Sequence, residues 1–165
     1  MLVGILSDSH GQHLMVRRAL SLFDEHGVEC VIHCGDVCGV KVFDELVGRP
    51  CHFVWGNMDD RDAGLEAYLK TVGLNPPVEI PLRLTLDGKR FAVFHGHESA
   101  ARKMESLSDV DYVLHGHSHE CRDERFGGVR IINPGALFRA ATKTVAILDL
   151  ATDALTFHEI AAGDH

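Results

Sequence analysis

No stretch of this chain holds the roughly 20 consecutive apolar residues that cross a bilayer as a helix, so no transmembrane helix is expected. The N-terminal "MLVGILSDSHGQ" lacks a basic region, and its apolar run stops at Ser7, which predicts no signal peptide. Positive charge is scarce. Lys and Arg total 16 against 24 Asp and Glu, leaving a net charge of −8. The basic pairs Arg17-Arg18 and Lys89-Arg90 are short and read as solvated faces. An acidic chain gains nothing from releasing phosphate counterions, so general nucleic-acid binding is not expected. Paired C-x2-C zinc ligands are also missing. The five cysteines are odd in number, with Cys30, Cys34 and Cys38 at intervals of four. Reduced thiols and a cytoplasmic location are the expectation. No repeat, linker, lid or low-complexity segment interrupts the chain, and residues 1–165 read as a single domain. The terminal "AAGDH" reads as frayed. Oligomeric state leaves no mark in the sequence.

What is present is a rhythm of strands closed by glycine-polar turns. "LVGILS" (2–7) stops at "DSHG". Leu14, Ala19, Leu20 and Phe23 then recur at helical spacing up to Gly27. "VECVIH" (28–33) stops at "CGD", "VKVFDELV" (40–47) reads as a short helix, and "CHFVWGN" (51–57) closes a third strand. "AGLEAYLKTV" (63–72) is helical until "GLNPP" breaks it. This β-α-β-α-β-α order implies a parallel sheet with covering helices. The second half is richer in strands. "VEIPLRLTL" (78–86) and "RFAVFHG" (90–96) flank the turn "DGK". "SAARKMESL" (99–107) reads as a short helix and "VDYVLHG" (110–116) as a strand. "ERFGGVRIINPG" (124–135) reads as two strands around Gly127-Gly128, and "KTVAILDL" with "ALTFHEI" as a last hairpin around "ATD". Two packed sheets with outer helices fit this better than one open sheet.

Chemistry collects where the strands end. Strand one ends in Asp8-x-His10, strand two in Gly35-Asp36, strand three in Gly56-Asn57, and later strands in His95-Gly96 and Gly116-His117-x-His119. Functional groups gather at the carboxyl ends of strands in α/β sheets. Each block alone has a plainer reading: Asp8 and Asp36 as helix N-caps, Asn57 as a turn residue. Together they form an oxygen and nitrogen donor set without thiolate, which suits Mn²⁺, Fe, Zn²⁺, Ni²⁺ or Co²⁺. Seven donors exceed one ion's needs and imply two. A pair of ions forms a clamp for phosphoryl chemistry.

In this order, "DSH", "GDV", "GNMD", "FHG" and "GHSH" resemble the calcineurin-like metallophosphoesterases over residues 3–119. "INPGA" near residue 135 resembles their small phosphodiesterase branch. The resemblance implies an α/β fold, a four-layer α/β/β/α sandwich of two mixed β-sheets flanked by helices. It implies two divalent ions, with Mn foremost. One ion would take Asp8, His10, Asp36 and His119; the other would take Asp36, Asn57, His95 and His117, with Asp36 bridging. Two dications less two carboxylates leave a positive site that attracts phosphate even on an acidic protein. A hydroxide formed at the metals would attack phosphorus in line, with no covalent intermediate. Asp36 and Asn57 are the expected catalytic residues, joined by Asp59 as the partner that orients a ligand imidazole. Asn57, His97 and Arg139 are the expected contacts to a small phosphate-ester substrate.

One departure stands out. Larger family members place a histidine, the suspected general acid, after the Gly-Asn pair; Met58 stands there and donates no proton. Activated aryl esters would suffer least. Competing readings are a non-catalytic interaction scaffold, as in the retromer subunit of this fold, and a structural metal site without turnover. The retromer subunit departs from the full histidine set, which this chain keeps. His115 is expected to support the site from its strand end, and His33 to pack within its strand. Cys34 and Cys38 read as bystanders, Trp55 and Tyr112 as core. His13, His26, His52, His158 and His165 read as surface or loop histidines.

Overall fold

Three apolar strands separated by helices build the first half in the computed structural model, which describes residues 1–161. Strands β1 (Leu2–Leu6), β2 (Cys30–His33) and β3 (Cys51–Phe53) alternate with helices α1 (His13–Glu25), α2 (Val40–Leu46) and α3 (Ala63–Thr71). Val3 pairs with Cys30 and Val31 with Cys51, both in parallel register. The second half adds β4 (Leu82–Leu86), β5 (Lys89–Val93), a 3₁₀ segment (Ser99–Ser106), β6 (Tyr112–Leu114), β7 (Cys121–Phe126), β8 (Val129–Pro134), β9 (Thr144–Asp149) and β10 (Ala154–Glu159). One mixed sheet has the order β10-β9-β1-β2-β3 and the other β4-β5-β6-β8-β7. No helix among the described residues is long and apolar enough to cross a membrane. Of the frayed end expected at 161–165, only Ala161 lies within the described residues.

Alternation along the strands sorts the core into layers. Val3 and Ile5 of β1 join Ile32, Phe91, Leu114 and Ile132 between the two sheets. Leu6 and Val31 face the other way, against Met15, Val16, Ala19, Leu20 and Phe23 of α1 and Val42, Phe43 and Leu46 of α2. Each fully buried side chain of this size contributes about 1.5–3 kcal/mol. On the far face of the second sheet, Ala92, Val113 and Ile131 pack against Ala101 and Met104 of the 3₁₀ segment. The layers are helices, sheet, sheet and the 3₁₀ segment.

Two expectations shift in detail. Of residues 99–107, Ser99–Ser106 form a 3₁₀ segment, whose buried pair, Ala101 and Met104, is spaced by three, the period of that helix. The strand expected from residue 78 starts at Leu82. Val78 is fully solvent-facing, and Pro76, Pro77 and Pro81 cannot donate ladder hydrogen bonds. His13, His52 and His158 lie on α1, β3 and β10 and are half-buried, not in loops; His26 is exposed, and His165 lies outside the described residues.

Candidate metal centre

The carboxyl ends of parallel strands from both sheets meet. β1 leads into Ser7–His10, β2 into Asp36, β3 into Asn57, β5 into His95 and β6 into His117–His119. Asp8, Asp36 and His95 are buried and form the floor. Asn57 and His117 are exposed, with His10 and His119 intermediate, so the mouth is open. Asp36 Oδ2 lies 3.4 Å from His10 Nε2 and 3.3 Å from His95 Nε2. Asp8 Oδ1 lies 3.9 Å from each of those nitrogens and 3.1 Å from His119 Nε2. Two donor triads result, Asp8-His10-His119 and Asp8-Asp36-His95. His117 belongs to neither; its ring stands against that of His95 at 5.1 Å, and its backbone N–H donates to Asp8 Oδ2 at 3.0 Å.

The backbone around these groups is unusual. Asp8, His10, Asp36, His117 and His119 all adopt left-handed φ, between 42° and 70°. Such residues cost about 1–3 kcal/mol each and persist where their surroundings over-determine them. The glycines of the motifs have a steric reason. A Cβ on Gly56 would strike Asp36 Oδ1, and one on Gly116 would come within 2.5 Å of Asp8 Oδ2 and collide with Ser7 Oγ. Neither carboxylate caps a helix, since Gln12 and Gly39 hold those positions.

Hydrogen bonds occupy one side of each carboxylate and leave the other free. Ser7 Oγ donates to Asp8 Oδ2 at 2.5 Å, and Met58 N–H donates to Asp36 Oδ1 at 2.9 Å. His95 Nδ1 must donate to the Cys34 carbonyl at 2.8 Å, which turns its Nε2 lone pair toward the centre. That nitrogen faces Asn57 Oδ1 at 3.1 Å and Asp36 Oδ2. Three acceptors converging need a shared proton or a cation. Asp8 Oδ1 and His10 Nε2 are buried with no hydrogen-bond partner, a state that costs free energy unless something binds there. The donor set therefore fits divalent ions. Burial pushes the Asp36 carboxyl up, but His95 and the Met58 N–H outweigh it and hold the group at about 2. Burial lowers His95, and the Asp36 contact, the Cys34 carbonyl and the Asp8 charge together more than reverse this. Burial, then Asp59 and Asp36, push the Cys38 thiol up to about 12.

The expectation that Asp59 orients a ligand imidazole is corrected. Its two oxygens accept the N–H groups of Cys38 and Gly56, both at 2.7 Å. It ties the turn after β2 to the turn after β3. Arg139 lines the pocket over the centre with Phe138, Asn57, His117 and His119, and its guanidinium stacks 5.2 Å from the Phe138 ring. His97 is exposed, 5.4 Å from the His95 ring. His115 is buried and its Nδ1 lies 3.0 Å from the Gly116 carbonyl. His33 is buried and hydrogen-bonded to Ser9 Oγ at 2.8 Å. Sequence reasoning missed Ser7, Glu98 and Asn133. Glu98 accepts the N–H groups of His95 and Gly96 at 2.8 and 2.7 Å. Asn133 donates to the Gly116 carbonyl and to Ser118 Oγ, both at 3.0 Å. An acid three residues after His95 and the asparagine of "INPGA" were the available signals.

Residues 1–153 match the model of the calcineurin-like phosphoesterase superfamily domain. The chain belongs to that superfamily. This calcineurin-like phosphoesterase is 31% identical to Phosphodiesterase MJ0936 of Methanocaldococcus jannaschii, over 97% of its own length and 98% of the relative's. A solved archaeal phosphodiesterase superposes with a TM-score of 0.86 at 29% identity, covering 96% of this chain and 99% of that one. Vps29 of Entamoeba histolytica, solved with Zn²⁺, shares the fold at a TM-score of 0.67 and 21% identity, over 96% and 91% of the two chains. Members of the superfamily use divalent metals, and the two triads supply candidate ligands here.

Proposed function

We propose that this hydrolase cleaves phosphodiester bonds of small esters at a centre of two divalent ions. Asp8, His10, Asp36, Asn57, His95, His117 and His119 would hold them. One observation carries the reading: two buried carboxylates face three imidazoles and a carboxamide, and Asp8 Oδ1 and His10 Nε2 among them are buried with no hydrogen-bond partner. Ions bound there would supply Lewis acidity toward phosphoryl oxygens and a nucleophile from water at neutral pH. The chain's own residues do the rest. Asp36 Oδ2 stands between His10 and His95 and would be a ligand shared by the two ions, while Asp8 is the carboxylate common to both triads. Asn57 offers a neutral oxygen that preserves positive charge. Arg139 at the rim offers a planar cation matched to phosphate oxygens. His97 lies at the opening, within reach of a substrate limb. Oxygen and imidazole donors, with no cysteine in either donor triad, suit Mn²⁺. The five free cysteines support a cytoplasmic setting. The scaffold alternative rests on fold alone, through Vps29.

The test is turnover of bis(4-nitrophenyl) phosphate with Mn²⁺, before and after EDTA. Hydrolysis that EDTA abolishes and Mn²⁺ restores is the expected result. No metal-dependent turnover of several diesters and monoesters would sink the enzyme reading.

A further inference from the structure

The pocket over the metal centre, about 540 Å³, is not closed at its sides. Toward α2 and α3 it shares Cys38 and Met58 with a second cavity of about 380 Å³. Val40, Phe43 and Leu65 form the apolar wall of that cavity, and Asp60 and Asp62 stand at its edge. Val40 is 44% and Met58 61% exposed, so this apolar surface is left uncovered by the fold beside the reacting centre. On the other side, His119 and Arg139 are shared with a hollow of about 400 Å³ lined by Ser118, Thr142 and Thr144. A phosphate placed over the centre therefore has one apolar and one polar recess beside it. A monoester has one limb to place; a diester has two.

We infer that the Val40–Phe43–Leu65 cavity is the subsite for one alcohol limb of the substrate, and that it selects an apolar limb carrying no negative charge. The inference rests on the phosphodiesterase reading and names a substrate class within it. Size agrees: an engineered cavity of roughly 150 Å³ holds a benzene ring, so this one accommodates an aryl or branched alkyl group. Charge agrees as well. Asp62 accepts the Leu65 N–H at 2.8 Å to cap α3, which fixes a carboxylate at the edge, and the exposed Asp60 adds a second. An anionic limb would meet both, on a chain whose net charge is already −8.

The experiment compares ligands that share a phosphonate head and differ only in the limb. Binding of methylphosphonate, phenylphosphonate and 4-carboxyphenylphosphonate to the Mn²⁺-loaded protein is measured by calorimetry. Phenylphosphonate should bind at least about tenfold more tightly than methylphosphonate, the discrimination expected of an apolar pocket. The carboxylated ligand should lose most of that gain. Val40→Trp, a change at an exposed position that fills the cavity, should collapse the phenyl-to-methyl ratio toward one while leaving methylphosphonate affinity unchanged. Asp60→Asn should recover part of the carboxyphenyl affinity. Equal binding of phenyl and methyl ligands, or a ratio that Val40→Trp leaves intact, would overturn the subsite. Failure of the esterase reading looks different: no diester turnover, with the phenyl preference and its loss in Val40→Trp still present.

Discussion

Asp36 shows how much a single oxygen can be asked to do. Its Oδ1 is taken by the Met58 N–H, which leaves Oδ2 alone to face His10 and His95. Removing the side chain should therefore affect both halves of the centre. Asp36→Ala should hold fewer than two ions per chain by elemental analysis, and its turnover should fall by more than the roughly 10–100-fold typical of losing an outer partner. Two ions retained per chain would contradict a bridging role. Asp59 presents the opposite case, a carboxylate close to the site whose two oxygens each accept a backbone N–H. Asp59→Asn keeps the shape but turns an NH₂ group toward one of those donors. Metal affinity should drop roughly 10–100-fold, with kcat restored at saturating metal. A kcat loss that excess metal does not rescue would make Asp59 part of the reaction instead of a tie between two turns.

At the scale of elements, the strand-to-turn junctions carry the site, and their glycines explain why the motifs read as they do. Gly116 ends β6 where the second sheet passes Ser7 and Asp8 of the first. Gly116→Ala should push those segments apart, costing about 1–3 kcal/mol as overpacking and releasing metal along with it. Gly128, in the β7–β8 turn, has nothing within 4 Å of a built Cβ, so Gly128→Ala should leave both Tm and metal content near wild type. Equal melting of the two variants would remove the steric account. These junctions were legible because an apolar run followed by Gly and a polar residue marks where a strand stops. The sheet assignment of the last hairpin was not. β9 is a continuous buried run and β10 alternates, both as strands can, yet nothing local says that β9 returns to pair antiparallel with β1, Val3 opposite Leu148. Hydrophobic period specifies a strand and its faces; its neighbour depends on packing across the whole chain. The Asp59 contact was illegible for a related reason. Its partners lie 21 residues back at Cys38 and three back at Gly56, and both bonds use backbone atoms that any residue type would offer.

For the whole molecule, the centre lies between two loops that a buried histidine holds together. His33 Nδ1 accepts the Gly35 N–H at 3.2 Å, so Nε2 carries the proton and donates to Ser9 Oγ at 2.8 Å; Ser9 in turn donates to the Val37 carbonyl at 3.3 Å. The ring must be neutral for this chain of bonds to exist. Burial, helped by His95, pushes its pKa down to about 3, against about 6.5 in an unfolded chain. Between those values the unfolded state holds a proton that the folded state lacks. Stability from this group is thus complete above about pH 6.5 and declines as pH falls, by about 1.4 kcal/mol per pH unit. The measurement is a series of urea midpoints from pH 7 to 4.5 on chelated protein, so that proton release from metal ligands does not enter. Wild type should lose stability more steeply than His33→Gln by close to one proton, even though the variant starts less stable. Parallel pH profiles for the two proteins would mean that His33 is not held neutral, and that the link between the loops after β1 and β2 has another basis.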